Sequence, residues 1–312
     1  MSDLPAPVTR DDVLAAQDRI SGRVRRTPVL APVGDDPVWL KLEHLQVCGV
    51  FKTRGAFNRQ LAGLERGEIG DAGIVVASGG NAGLAQAYAA RELGIRATVF
   101  VPETAPAVKV ARIESYGATV RRAGREYAEA HAAAVDFGDV EGAAFAHAYD
   151  QPDVVAGAGT LAEELLADEP GTDTIVVAVG GGGLYAGVAA AARGRARVVA
   201  VEPELAPTLH AAVAAGRPVD VAVSGVAADS LGARRAGGLA VAAAQAEAPV
   251  SVLVGEDAIV EARSRLWRDV RIASEHGAAT AYAALLSGAY SLAPGERVAV
   301  VVCGANTDLA TL

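Results

Sequence analysis

Residues 49–57 read GVFKTRGAF, with Lys52 directly after the aromatic Phe51 and at the head of a stretch able to become helical. A lysine so placed is either a solvated charge at a helix start or an amine held for chemistry. An amine that gives up its proton is both nucleophile and base. A second candidate is VVAVGGGGLYAG, where Gly180, Gly181, Gly182 and Gly183 follow an apolar run and precede a helical segment. Glycines there let the backbone come close to a ligand, and N–H groups at the following helix start can surround an anion. The competing reading is a plain tight turn from strand to helix. The loop has neither a Walker lysine nor a GxGxxG pattern, which weakens nucleotide-hydrolase and nicotinamide readings.

Two more stretches offer polar groups at strand ends. VVASGGNAGLAQAYAA places Ser78, Gly79, Gly80 and Asn81 between a strand and a helix. Asn81 either caps that helix or, with Ser78, meets a ligand in the crevice at the strand ends. In VVVCGANTDLATL a strand ends at Cys303, and a near-terminal buried thiol read alone is a small apolar residue. The histidines His44, His131, His147, His210 and His276 form no metal-ligand motif. Glu202 and Glu204 in VAVEPELAPT could hold a hard cation, but solvated acids are the favoured account. Trp39 and Trp267 read as packing residues.

The elements that must position these residues follow from the apolar runs. AGIVVAS, RATVFVP, ATVRRA, DTIVVAVG, RARVVAVE, VSVLV and RVAVVVCG read as strands, alternating with Ala-rich helical segments such as NAGLAQAYAARELG and AIVEARSRLWRDV. Runs apolar on both faces read as parallel strands covered by helices, so the fold class is α/β. At 312 residues the chain is long enough for two domains. Residues 147–160, HAYDQPDVVAGAGT, read as an irregular hinge or active-site loop, and 216–238 as a second irregular stretch. A net charge of −9 disfavours a nucleic-acid surface. Cys48 and Cys303 lie far apart with no CxxC pair, so no disulfide scaffold is expected. No signal pattern and no membrane span are read, and a cytoplasmic protein is the expectation.

The order and spacing of RTPVL, VWLKLEHLQVCGVFKTRGA, VVASGGNAG, ATVFVPETAPAVKVARIESYGA, GAGTLAEELL, VVAVGGGGLYAG, VVAVEPE and VVCGANTDL run over nearly the whole chain. Together they resemble the serine/threonine dehydratase family of pyridoxal-phosphate enzymes, which includes serine racemase. The resemblance implies a tryptophan synthase β-like fold (fold type II), with two open twisted sheets flanked by helices. It implies a large domain of residues 1–44 and 151–312 and a small domain of 45–150. It makes Lys52 the residue that holds pyridoxal phosphate covalently and later moves the Cα proton. Gly180, Gly181, Gly182 and Gly183 match the phosphate loop, and Asn81 matches the asparagine on the ring hydroxyl. Phe51 matches the aromatic residue beside the ring, and Cys303 the residue facing the pyridine nitrogen. Ser78, Gly79, Gly80 and Ala82 fall in the loop that takes the substrate carboxylate.

The implied reaction is β-elimination from L-threonine or L-serine to a 2-oxo acid and ammonia. The other readings are a dehydratase of another β-hydroxy amino acid such as 3-hydroxyaspartate, an amino-acid racemase, and a noncatalytic ligand-binding protein. Racemisation is expected to be weak, because Gly79 stands where racemases carry a proton-donating serine. Val50 replaces the serine that often precedes Phe-Lys, removing a hydroxyl expected near the phosphate. Ala305 replaces a glycine in the closing motif. Thr208 stands where a magnesium- or calcium-binding branch has an acid, so the cation site built on Glu202 and the Ala206 carbonyl is doubtful and no metal is expected. The resemblance also implies a homodimer, and no C-terminal amino-acid-sensing domain is expected.

Overall fold

The computed structural model describes residues 4–32 and 37–312. Among the described residues, ten strands form two sheets. The smaller is entirely parallel, in the order β5-β4-β3-β6, from β3 (Ile74–Ala77), β4 (Ala97–Val101), β5 (Thr119–Arg122) and β6 (Ala144–Ala146). Successive side chains of a strand face opposite ways, and β3 uses both faces. Ile74 and Val76 pack with Leu84 of α3 (Asn81–Leu93) and Ile113 of α4 (Ala107–Glu114). Val75 and Ala77 pack with Ala130 and Ala134 of α5 (Tyr127–Glu141). That two-sided burial is why the strand reads as an unbroken apolar run.

The larger sheet has the order β1-β2-β10-β7-β8-β9. β1 (Val29–Leu30) is antiparallel to β2 (Val38–Lys41). β10 (Val298–Val301), β7 (Thr174–Ala178), β8 (Arg197–Pro203) and β9 (Val250–Val254) continue it in parallel. α1 (Arg10–Arg19), α6 (Pro152–Asp168), α7 (Gly183–Ala192) and α9 (Gly238–Ala246) pack as one helical group. α10 (Glu256–Val270) packs on α11 (His276–Leu286), which lies against β7 and β8. α2 (Lys52–Glu65) packs on α6 of the large sheet's layer and on α3 of the small sheet's layer. Its first residue is therefore placed where the two halves meet.

One sequence expectation changes. Residues 147–151 do form a loop, but 152–160 are the first half of α6. Pro152 starts the helix, where its missing N–H costs nothing. Its glycines serve contact: a Cβ at Gly157 would fall 2.7 Å from the Arg54 carbonyl oxygen, and one at Gly159 2.5 Å from that of Gly187. Helix backbones touch there, and the glycines that broke the sequence periodicity permit it. Residues 217–237 contain no helix or strand, as read, apart from one bridge between Asp220 and Arg235. No described helix is long and apolar enough to cross a membrane.

Candidate active site

Lys52 opens α2, and its Nζ donates to the Ala148 carbonyl oxygen at 3.1 Å. It lies 5.0 Å from the centre of the Phe51 ring. Burial pushes its pKa down to about 8, although Cys303 and Glu275 nearby favour the charge. Lys52, Phe51, Asn81, Cys303 and all four glycines of the loop line one cavity. Ser230, Leu231, Tyr149 and Glu275 complete the parts of the wall that matter here.

The glycine loop is the floor. β7 runs into Val179 and the loop, and α7 begins at Gly183 with Gly182 as its N-cap. Gly182 has φ of +89°, and a Cβ there would lie 2.4 Å from the Ala240 side chain. A Cβ at Gly181 would strike the Tyr149 ring at 2.4 Å. The Tyr149 segment is itself held: the His147 ring accepts the Tyr149 and Asp150 N–H groups at Nδ1, at 3.2 and 2.8 Å. Burial pushes that imidazole down to about 4, so it stays a neutral acceptor. Asp150 accepts from the Gly238 and Leu239 N–H groups, at 2.9 and 3.0 Å, at the start of α9.

Asn81 does not cap α3; Gly80 holds that position, and no side chain caps it. The Asn81 amide bonds elsewhere, donating to Glu275 Oε1 at 2.8 Å and accepting from Asn306 Nδ2 at 2.8 Å. Burial pushes the Glu275 carboxyl up to about 7. Cys303 follows β10, its carbonyl accepts the Phe51 N–H at 3.0 Å, and burial raises its thiol pKa, keeping the sulfur neutral. Ser78, Gly79, Gly80 and Ala82 are not part of this cavity wall. Ser78 Oγ accepts the Gly80 N–H at 3.3 Å, and Gly80 faces the Asp229 carbonyl across the gap between the sheets. Val50 is fully buried, bridges Gly304, and is not part of this cavity wall.

Several wall residues were not singled out in the sequence. Glu275 is the N-cap of α11, just before its Ala-rich run. Ser230 lies in the irregular stretch, and Tyr149 in the segment read only as a hinge or active-site loop. Glu202 is engaged elsewhere: its carboxylate accepts from the Leu209 and His210 N–H groups, both at 2.7 Å, and from Thr208 Oγ1 at 3.0 Å, at the start of α8 (Thr208–Ala215). The Ala206 carbonyl accepts the Thr208 N–H at 3.0 Å. The oxygens considered for a cation thus serve the turn of the chain, and the described residues hold no cluster of three metal-ligating groups.

The family model for pyridoxal-phosphate dependent enzymes matches residues 20–304. An L-threonine ammonia-lyase of Geobacter sulfurreducens is 36% identical over 95% of this chain and 75% of its own length. A phenylserine dehydratase of Ralstonia pickettii is 36% identical over 94% of this chain and 91% of its own. A solved structure of maize serine racemase superposes with a TM-score of 0.90 at 31% identity, covering 97% of this chain and 95% of that one. The chain belongs to the pyridoxal-phosphate dependent enzymes of fold type II, in the serine/threonine dehydratase family. The two sheets with their flanking helices are the architecture of that fold.

The residues present fit pyridoxal phosphate. Ser230 Oγ is buried in the cavity wall with no hydrogen-bond partner, an arrangement costing roughly 1–3 kcal/mol unless a ligand supplies one. The glycine loop offers backbone alone to the wall, and a Cβ at Gly181, Gly182 or Gly183 would collide with Tyr149 or Ala240. The amine with the weakened charge stands in the same wall.

Proposed function

We propose that the protein is an L-threonine/L-serine ammonia-lyase, which eliminates water from a β-hydroxy amino acid and yields a 2-oxo acid and ammonia. The observation that carries this is the buried amine of Lys52, its pKa brought down to about 8, in one cavity wall with the tetraglycine floor. Threonine ammonia-lyase activity in a relative covered over most of its length supports it.

When bound, pyridoxal phosphate supplies a covalent tether for the amino group and a sink for the electrons of the Cα–H bond. Lys52 is the attachment point and then, freed by the incoming amino acid, the base for the Cα proton. At pH 8 about half of such amines are neutral, so the proton has somewhere to go. The backbone of Gly180, Gly181, Gly182 and Gly183 would hold the phosphate. Phe51 would pack beside the ring, Asn81 would donate to its hydroxyl oxygen, and the neutral thiol of Cys303 would face its nitrogen. Ser78, Gly79, Gly80 and Ala82 form the loop for the substrate carboxylate. The Cβ–O bond breaks as the Cα–H electrons move toward Cβ, and the hydroxide leaves as water with the proton that Lys52 took from Cα, which returns the amine to its neutral form. Water then hydrolyses the released enamine to the 2-oxo acid and ammonia.

Residues 45–150 act as the small domain, closing on the large domain of 1–44 and 151–312. The proposed homodimer rests on the family resemblance. Among the described residues, no arginine or histidine lines the cavity. Nearby, Lys109 faces Asp229 at 3.8 Å and Arg112 donates to the neutral amide of Asn306, so the cavity wall itself offers no guanidinium or imidazole to an acidic substrate side chain such as that of 3-hydroxyaspartate. Borohydride reduction of the purified protein followed by peptide mapping is expected to fix the cofactor on Lys52. A screen of L-threonine, L-serine, their D forms and 3-hydroxyaspartate is expected to give 2-oxo acid and ammonia from the first two. A label on another residue, or no release from either L substrate, overturns the proposal.

A further inference from the structure

A row of polar side chains runs from the protein surface to the cavity wall. Arg112 on α4 is exposed, and its Nη1 donates to Asn306 Oδ1. Asn306 Nδ2 donates to Asn81 Oδ1 at 2.8 Å, and Asn81 Nδ2 donates to Glu275 Oε1 at 2.8 Å. A carboxamide has one donor end and one acceptor end, and either can face either way unless its neighbours decide. Here they decide. A guanidinium has no acceptor, so Asn306 turns its oxygen to Arg112 and its NH2 to Asn81. Asn81 must then turn its oxygen to Asn306 and its NH2 toward Glu275 and the cavity. The carboxyl at the far end accepts, in agreement with the direction set at the surface. Glu275 uses one of the two Asn81 amide hydrogens, and the second is left for a ligand.

We infer that Arg112 and Asn306 are positioning residues that lock the amide of Asn81 so that an N–H, and not the oxygen, faces the cavity. Neither residue lines the cavity itself. The ligand atom so recognised is an acceptor oxygen, which under the functional proposal above, on which this inference rests, is the ring hydroxyl oxygen of pyridoxal phosphate. The row also joins α4, in the small sheet's layer, to the segment after β10 of the large sheet. The surface contact therefore sets the polarity of a buried group on the other side of the gap.

The test reverses that polarity without changing shape. Asn306→Asp still accepts from Arg112 but has no hydrogen for Asn81, so the Asn81 amide turns over and presents its oxygen to the cavity. Arg112→Glu imposes the same reversal from an exposed position. Arg112→Lys keeps a donor-only end. The readouts are the dissociation constant of pyridoxal phosphate from the apoprotein and the pH titration of the bound cofactor's visible absorption. Asn306→Asp and Arg112→Glu are expected to weaken binding at least about tenfold, the loss of one hydrogen bond to a charged group, and to displace the absorption titration. Arg112→Lys is expected to stay within about twofold of the parent. Wild-type affinity and titration in Arg112→Glu overturn the inference, as does an Arg112→Lys protein as impaired as Arg112→Glu. If Asn306→Asp does not fold, the two Arg112 variants carry the test alone. Failure of the functional proposal looks different: there the parent protein itself holds no cofactor on Lys52.

Discussion

Lys52 and Arg54 are two residues apart in the first turn of α2, both are cations, and both sit inside the protein. Their surroundings are opposite. Arg54 is fully buried and donates twice to Glu43, at 2.9 and 2.8 Å, and twice to Glu164, at 2.8 and 2.7 Å. Lys41, equally buried, donates to the same Glu164 at 2.9 Å and to the Thr27 carbonyl at 2.7 Å. Burial alone would lower the Arg54 pKa and raise that of Glu164. The bonds to the two glutamates outweigh burial at Arg54 and raise it, and the bonds to Arg54 and Lys41 outweigh it at Glu164 and lower it. Around Lys52 nothing outweighs burial: the amine falls to about 8 and Glu275 rises to about 7. In the paired region Arg54 and Glu164 are held in their charged forms, although burial still lowers the Lys41 pKa, and the bonds secure α2 between the short 3-10 turn at Glu43–Leu45 and α6. The region one turn-edge away leaves its protons free to move, which proton-transfer chemistry requires.

The largest expected effects come from deleting one cation from each region. Lys52→Ala should lower ammonia release at least about 10⁴-fold, since tether and base are lost together. Its apoprotein should keep its stability within about 1 kcal/mol, because the lost amine is buried without an anionic partner. Arg54→Met should behave in the opposite sense, losing about 3–5 kcal/mol in chemical denaturation by leaving two buried carboxylates short of a partner. Equal destabilisation by both variants would erase the distinction between the regions.

A smaller effect tests whether Glu275 is as unpaired as its surroundings indicate. Its folded pKa of about 7 lies above the carboxylate value of 4.5, so between those pH values the folded apoprotein binds more protons than the unfolded chain. This contribution is present below pH 4.5 and is lost as pH rises through 7. The apoprotein should therefore lose on the order of 1–3 kcal/mol between pH 5 and 8 from this group. Glu275→Gln, neutral throughout and still an acceptor for Asn81, should remove that loss. Denaturation curves at the two pH values measure it, and identical pH dependence in the variant would place the titration elsewhere.

The two regions were not equally legible in the sequence. The strands were legible because parallel strands buried on both faces leave continuous apolar runs, as β3 and β7 do. Lys52, Asn81 and the glycine loop, singled out for their unusual local contexts, do come together in one cavity. The start of α6 was hidden by Gly157 and Gly159, whose purpose is contact with α2 and α7 and appears only once those helices are in place. Glu275 and Ser230 were hidden for the same reason, since each becomes a wall residue through tertiary approach, while Tyr149 lay in a segment read only as a hinge or active-site loop. The Arg54 network was not legible as a network: Lys41, Glu43, Arg54 and Glu164 stand in two motifs far apart in the chain, and only packing turns them into a closed set. Local sequence reports what a residue's neighbours in the chain require, and the pairing of buried charges is not a local requirement.

The smallest expected effect adds a group to the region of mobile protons. A Cβ at Gly79 would meet Val101 Cγ1 at 3.5 Å and the Ala105 Cβ at 3.8 Å, ordinary contacts, and its backbone is not in the left-handed region. Gly79→Ser should thus change stability by no more than about 0.5 kcal/mol. Packing does not demand glycine there, so the missing hydroxyl is a matter of chemistry. In the family resemblance a serine at this position returns a proton to Cα from the face opposite the lysine. The variant should then turn over L-serine mainly by elimination, with D-serine forming faster than in the parent, measured by chiral chromatography. If D-serine forms no faster than in the parent, a second donor is not what limits racemisation. The single base Lys52 would then fix the stereochemical outcome through how quickly the β-hydroxyl departs.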